Sequence, residues 1–344
     1  MKKTFSLGCA LALALSLSAC GGGGGGGGGG SSSGISGTTF TLSGMAGNAS
    51  PENTSKPKNA NETANALASP GSDAQGKMTS ASGYAPWVSP YFLVLKAESN
   101  GSLTLKNDGQ TVTTFKPDDM RFYKKDGVNF AVMMDTPHPP TDPAAKGSLT
   151  EKNALWIGKL DYVSFGYWAQ TQDGQGTYNG VQYRGTVIAD YDYFHDGKKA
   201  QYVSGNLSFT GVAAGVAEYW TEADGVTQVG TIPLIGTASL TIANASSGSL
   251  VLTFPNFYQF TGKVTSTLAT GHFSGSFTNA QKLGSASPVD LPNTVSHLEY
   301  NELNGQLYGS SPTNPTEAAG HWYLEYETKT KGIHVDGVFG VKKK

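Results

Sequence analysis

From Tyr84 to the carboxyl end, the chain runs in short stretches where every second residue is apolar or aromatic, separated by Gly, Asn, Asp and Pro. No stretch sustains a helical period, so the pattern predicts strands throughout. In the first half these are Tyr91–Ala97, Leu103–Leu105, Thr111–Phe115, Met120–Tyr123, Phe130–Met134, Leu155–Tyr162, Val163–Gln170, Gln182–Phe194, Gln201–Thr210 and Val216–Trp220. Asn107-Asp108-Gly109, Lys125-Asp126-Gly127 and Asp196-Gly197 are the expected hairpin turns, because the tight turn that matches strand twist needs positive φ at its central residues. The last third is more regular. Thr237–Ala243, Ser249–Phe254, Tyr258–Val264, Gly271–Phe277, Ser296–Glu302, Gly305–Gly309, Gly320–Tyr326 and Ile333–Val341 make eight strands at hairpin spacing. Each carries one apolar face, as in Leu250/Leu252/Phe254 and Trp322/Leu324/Tyr326. Such alternation fits an up-and-down antiparallel barrel, which removes its edges by closing on itself. The fold class is therefore all-β, a handle of antiparallel strands followed by an eight-stranded barrel. The piece Ala200–Lys344 is expected to close a core of its own.

The residues before this pattern are of another kind. Lys2 and Lys3 precede a short apolar run, Phe5 to Leu17, which ends in Leu17-Ser18-Ala19-Cys20. Residues 1–19 read as a signal peptide, and the tetrapeptide resembles a bacterial lipobox, which makes Cys20 the site of lipidation. Acyl chains buried at roughly 0.8 kcal/mol per CH₂ would hold the protein to its membrane, and no Asp follows Cys20 to suggest inner-membrane retention, so the outer membrane is the expected address. Gly21 to Gly30 is an unbroken glycine run, and Ser, Thr, Asn, Ala, Pro and Gly dominate to about Ser82. Residues 20–82 are thus expected to be a disordered stalk with an r.m.s. span of about 40 Å. The glycine run has no strand before it and no helix after it, as a phosphate-cradling loop requires.

Composition narrows the function. The formal net charge is −2 with charged residues at 15 %, so no broad basic surface invites nucleic acid, and binding should depend only weakly on salt. The only cysteines are Cys9, lost with the signal, and Cys20, so neither a disulfide nor a thiolate metal site is expected. There is no G-x-S-x-G elbow and no H-E-x-x-H, and an enzyme is not expected. Asp118-Asp119 reads as a solvated pair, and Asp190 and Asp192 share a strand face without the oxygen-rich loop that calcium needs. By strand parity His272, His297, His321 and His334 oppose their apolar neighbours and should face solvent. His138, inside Thr136-Pro137-His138-Pro139-Pro140, and His195, beside Tyr191, Tyr193 and Phe194, fall in the amino-terminal half, where predicted loops gather binding residues. An imidazole beside an aromatic slot is also what an axial haem ligand needs.

Several segments resemble one family. Ala269-Thr270-Gly271-His272-Phe273-Ser274-Gly275-Ser276-Phe277 is similar to the "G-x-F-S-G" strand of the transferrin-binding protein B family. Leu303-Asn304-Gly305-Gln306-Leu307-Tyr308-Gly309 with Glu317-Ala318-Ala319-Gly320-His321 resembles its "G-x-F-Y-G…A-x-E-x-G-G" stretch, departing at Leu307 and His321. Gly337-Val338-Phe339-Gly340-Val341-Lys342 resembles its "G-V-F-G-A-K" terminus, and Phe209-Thr210-Gly211 to Ala217 its first barrel strand. The resemblance is good over about 200–344, and only architectural over 84–200. It implies a single lobe, with a handle at 83–200 and a barrel at 201–344, like that of factor H-binding lipoproteins, haemoglobin receptor lipoproteins and hemophilins. It further implies a monomer displayed on the outer membrane that binds a host protein, an iron or haem carrier first among them, for a transporter or translocation partner. Direct haem binding and complement evasion or adhesion are the alternatives, with no other cofactor implied. In the handle, Phe165 and Tyr167 share one strand face and Gly166 and Trp168 the other, so one face should be buried and one available. The candidate contact residues are Trp168, Tyr191, Tyr193, His195 and His138.

Overall fold

The computed structural model describes residues 40–71, 93–140, 146–178, 181–202, 204–223, 225–244, 247–265 and 270–344. The expected signal peptide, Cys20 and the expected stalk outside 40–71 lie outside the described residues.

The barrel forms from β10 (Leu207–Ala223), β11 (Val226–Asn244), β12 (Ser247–Thr253), β13 (Tyr258–Thr265), β14 (His272–Lys282), β15 (Asn301–Tyr308), β16 (Glu317–Glu327) and β17 (Lys331–Lys343). Each pairs antiparallel with the next, and β17 returns to β10 in the register Gly211↔Val341 and Val216↔Asp336, so the eight strands close. Alternation delivers the expected inward row. Phe254, Phe260, Phe277 and Trp322 meet at the centre, with the Trp322 ring 5.6, 6.0 and 6.3 Å from the other three. Side chains fill the interior, as an eight-stranded barrel allows. Two strands differ from expectation. Of Ser296–Glu302 only Asn301 and Glu302 are strand, continuous with Gly305–Tyr308 in β15, while β10, read as two short pieces, is one long strand. The segment before β15 instead buries Val289, Leu291 and Val295 in the same core.

The handle is a meander of β5 (Arg121–Lys125), β6 (Val128–Met134), β7 (Lys146–Lys159), β8 (Val163–Tyr178) and β9 (Val181–Gly197), with β1 (Ser50–Pro51) on the edge at β5. The turns at Asp108-Gly109 and Asp126-Gly127 are as expected, with φ of 50° and 78° in the first and 50° and 79° in the second. Asp196-Gly197 is not a turn: it closes β9 opposite Val163 and Ser164. The meander joins the barrel sheet through a short parallel pairing, Thr227↔Tyr183 to Val229↔Gly185.

Both faces of this meander are covered, which corrects the expectation of one free face. On one side lie α2 (Ala60–Leu67) and a small sheet of β2 (Val94–Ala97), β3 (Leu103–Asn107) and β4 (Gln110–Phe115), burying Leu67, Leu95, Leu105 and Phe115 against Leu155, Ile157, Trp168 and Phe194. On the other side Val132, Trp156, Phe165, Tyr167 and Ile188 pack on Val212, Ala214, Val216 and Val338, the outer face of barrel strands β10 and β17. The stalk expectation is corrected over 40–71. α1 (Leu42–Ala46) is folded against barrel strand β11 and handle strand β6, and α2 onto the handle, with Phe40, Met45 and Leu67 at most 1 % exposed. A few apolar anchors suffice there because the sheet they dock on already exists, so composition alone undercounts them.

Candidate functional site

The sequence-derived candidates fall into two groups, and neither is an open aromatic surface. The first surrounds β7. Beyond the area that the small sheet covers, the face carrying Leu155 and Ile157 turns polar at Asn153 and Glu151, both fully buried. Trp168, expected as an exposed contact, sits here at 1 % exposure, and its Nε1 donates to Asn153 Oδ1 at 3.1 Å. Asn153 donates from Nδ2 to Asp135 Oδ2 and from its backbone N–H to Asp135 Oδ1, both at 2.8 Å. Glu151 accepts from Gln170 Nε2 at 3.0 Å and Gln172 Nε2 at 3.3 Å, and Tyr183 donates to Gln172 Oε1 at 3.1 Å. Each buried polar group thus gains a partner, without which its desolvation would be costly.

His138 closes this network from above. Its backbone N–H donates to Glu151 O at 2.9 Å, and Glu151 N–H donates back to His138 O at 2.7 Å. The ring Nδ1 lies 2.9 Å from Pro139 O, and a carbonyl can only accept, so Nδ1 carries the proton. Nε2 lies 3.3 Å from Asn153 Nδ2 and 3.5 Å from Asp135 Oδ2. His138 and Trp168, 30 positions apart, are thereby linked through one asparagine. The result is a Pro-rich loop pinned at its centre, with Thr136, Pro137 and Pro139 exposed. Residues 141–143 of that loop lie outside the described residues.

The second group lies in the seam between handle and barrel. The Tyr193 ring stacks on His321 at 3.7 Å, and His195 Nδ1 shares a 2.6 Å hydrogen bond with the Tyr308 hydroxyl. His195 is 7 % exposed and part of β9, so its expected place in a loop is corrected. Burial, aided by Lys199 and His272, lowers its pKa to about 4, and burial with His195 and His272 lowers that of His321 to about 3. Burial also holds the Tyr308 hydroxyl well above its usual range. At neutral pH His195, His321 and Tyr308 are therefore uncharged. Tyr191 stacks on Tyr167 at 5.6 Å, and burial pushes its hydroxyl far up. His272 and His297 are exposed, as parity predicts, whereas His334 is 4 % exposed and His321 half-buried. Their outward direction is as expected, but the handle covers that part of the barrel. Sequence reading missed Asp135, Glu151, Asn153 and Tyr308, since no motif marks a polar residue that finds its partner on another strand.

No protein-family model matches the chain, and neither does any curated protein. Among solved structures it is similar to transferrin-binding protein B of Haemophilus parasuis Hp5, at 11 % identity and a TM-score of 0.33, over 75 % of this chain and 66 % of that one. It is similar to the isotype 1 protein of serogroup B Neisseria meningitidis at 16 % identity and a TM-score of 0.32, over 73 % and 51 %. A protein described as a surface lipoprotein matches at 14 % identity and a TM-score of 0.28, over 54 % and 77 %. The chain thus spans about two thirds of the first protein's length and half of the second's. The fold itself stands on the strand pairings given above.

Proposed function

We propose that the chain is an outer-membrane lipoprotein, anchored through Cys20 and facing outward, that captures a host iron- or haem-carrier protein with the exposed loops of its handle. The filled barrel carries this reading: with Phe254, Phe260, Phe277 and Trp322 packed at its centre, the barrel's service is to hold a rigid surface, and recognition falls to loops around it. Of those loops, the one spanning Thr136 to Pro140 is pinned in both directions to Glu151 yet presents two prolines and a threonine to solvent, a pre-ordered surface that loses little freedom on binding. A transporter or translocation partner would take the cargo onward.

The test is capture of transferrin and haemoglobin from serum by the full chain on lipid vesicles. The double variant Pro137→Ala/Pro139→Ala should weaken capture at least about 10-fold, roughly the loss expected for central contacts. His138→Ala should weaken it as well, by releasing the loop. Thr241→Ala, on the barrel surface, should leave capture unchanged. Loss in Thr241→Ala with normal capture by the loop variants would move the site to the barrel. For direct haem binding, His195, 7 % exposed within β9, would have to leave the seam, so added haemin should produce no haem–imidazole absorbance band.

A further inference from the structure

The outer face of three adjacent barrel strands carries a grid of side chains set by register. One row is Val216 on β10, Asp336 on β17 and Tyr323 on β16; the next is Glu218, His334 and Glu325; the third is Trp220, Gly332 and Glu327. This patch lies at the edge of the apolar seam, where β9 reaches over it and Ile188 N–H donates to Glu218 Oε2 at 3.2 Å. Three carboxylates thus surround one imidazole, with the Asp336 carboxyl close by.

The distances around His334 fit a metal site as well as they fit a hydrogen-bonded ion pair. Its Nε2 lies 3.2 Å from Glu327 Oε1 and 3.6 Å from Glu325 Oε1. A charge-assisted hydrogen bond contracts to about 2.7–2.9 Å, and neither contact has done so. Ligand atoms about 2.0–2.1 Å from a tetrahedral zinc ion stand about 3.3 Å apart, close to both separations. The three ligand atoms all lie within 4.8 Å of one another. Tyr323 donates its hydroxyl to the far oxygen of Glu325, the kind of outer contact that aims a metal-binding carboxylate.

A second observation comes from the third row. Gly332 has no side chain, and the indole of Trp220 occupies the space, with Nε1 only 2.4 Å from where a Cβ would stand. Trp220 is 4 % exposed, yet its Nε1–H has no hydrogen-bond partner. In register, Trp220 and Glu327 flank Gly332 from the two neighbouring strands. An orphaned buried donor on the strand next to that of His334 suits a water or small anion in a fourth position.

We propose that Glu325, Glu327 and His334 bind one divalent transition-metal ion of the zinc type, with a fourth position open to water or an anion beside Trp220. An imidazole with two carboxylates selects such an ion over magnesium or calcium, which favour all-oxygen sites. The site is independent of the host-protein surface proposed above.

The experiment uses untagged full-length protein in detergent, stripped with a chelator and titrated with Zn²⁺ in a calorimeter. One equivalent should bind. Glu327→Gln, partly exposed and therefore tolerant, should keep its circular dichroism spectrum and bind at least about 10-fold more weakly. His334→Gln should abolish binding, and if it fails to fold, Glu327→Gln decides. Trp220→Phe should keep the one-to-one stoichiometry. Less than one equivalent in the wild type, equal binding by folded Glu327→Gln, or a preference for Ca²⁺ or Mg²⁺ over Zn²⁺ would each overturn the proposal.

Discussion

His195 and His321 face each other across the seam with ring centroids 6.2 Å apart, one on the handle and one on the barrel. Burial holds them to pKa values of about 4 and about 3, so both stay neutral through the physiological range. A group whose folded pKa is depressed adds stability above its unfolded pKa and loses it as pH falls toward the folded value. For an unfolded histidine near 6.5, the loss begins there and is well advanced at pH 4. The wild type should therefore weaken relative to His195→Gln/His321→Gln by about 1.4 kcal/mol per pH unit for each histidine. Urea midpoints at several pH values measure this gap, and a gap independent of pH between 7 and 4.5 would remove both imidazoles from the account. The alternation Gly320-His321-Trp322 gave the direction of His321 correctly. It could not say that Tyr193, far away in sequence, would lie on top. Trp168 was misplaced for the same reason: parity separated it from Tyr167, but both faces of β8 have a neighbour.

At the scale of one element, β17 shows why a short glycine-containing motif can carry so much of a fold. Gly337 and Phe339 point inward and Val338 and Gly340 outward. A Cβ on Gly337 would meet the Trp322 indole at 2.4 Å, and Phe339 fills the barrel core beside it. Val338 joins the seam, and a Cβ on Gly340 would stand 2.1 Å from ring atoms of Phe165 on the handle. The two glycines thus make room for one aromatic ring on each side of the strand. Gly340→Ala should cost about 1–3 kcal/mol by overpacking, and the cost should shrink in a Phe165→Ala background, where the ring is gone. Gly109→Ala is the contrast. No atom lies within 4 Å of its Cβ position, so its cost of about 1–2 kcal/mol would come only from the positive φ and would not couple to Phe165. Denaturant unfolding of the two single variants and the double mutant measures both, and additive costs for Gly340 and Phe165 would refute this packing. The hairpin signals Asn107-Asp108-Gly109 and Lys125-Asp126-Gly127 were legible because a type with two positive φ values demands those residues. Asp196-Gly197 has the same letters, but both residues are still paired as the end of β9, since Val163 and Ser164 offer them a partner edge.

For the whole molecule, the decisive feature is that the barrel has two apolar faces. The buried residues of its inner core run from Leu207 to Val341, with Tyr202 packed against them, which is why single-faced alternation could reveal the barrel from sequence. Its outer face over β10 and β17 is apolar as well, through Val212, Ala214, Val216 and Val338, and the handle covers it. Those residues looked like ordinary β-formers, because alternation counts one buried face and has no way to register a second sheet. The expectation that Ala200–Lys344 closes its own core therefore needs a second half. The fragment should reach a native-like fold, with dispersed amide resonances, because β10 to β17 close without help from upstream strands. It should not be a clean monomer. Without β8 and β9 it exposes a contiguous apolar stripe, flanked by His334, His321 and Tyr308, of the sort that drives self-association. Size-exclusion chromatography should show concentration-dependent oligomers, and an environment-sensitive dye should bind. Changing Val212 and Val338 to Thr in the fragment should reduce both signals, whereas in the full chain the same changes should loosen the handle, at about 1–3 kcal/mol for each buried hydroxyl without a partner. A fragment that stays monomeric and binds no dye would mean that the outer face closes over itself, and the handle would then be an attachment rather than the barrel's second wall.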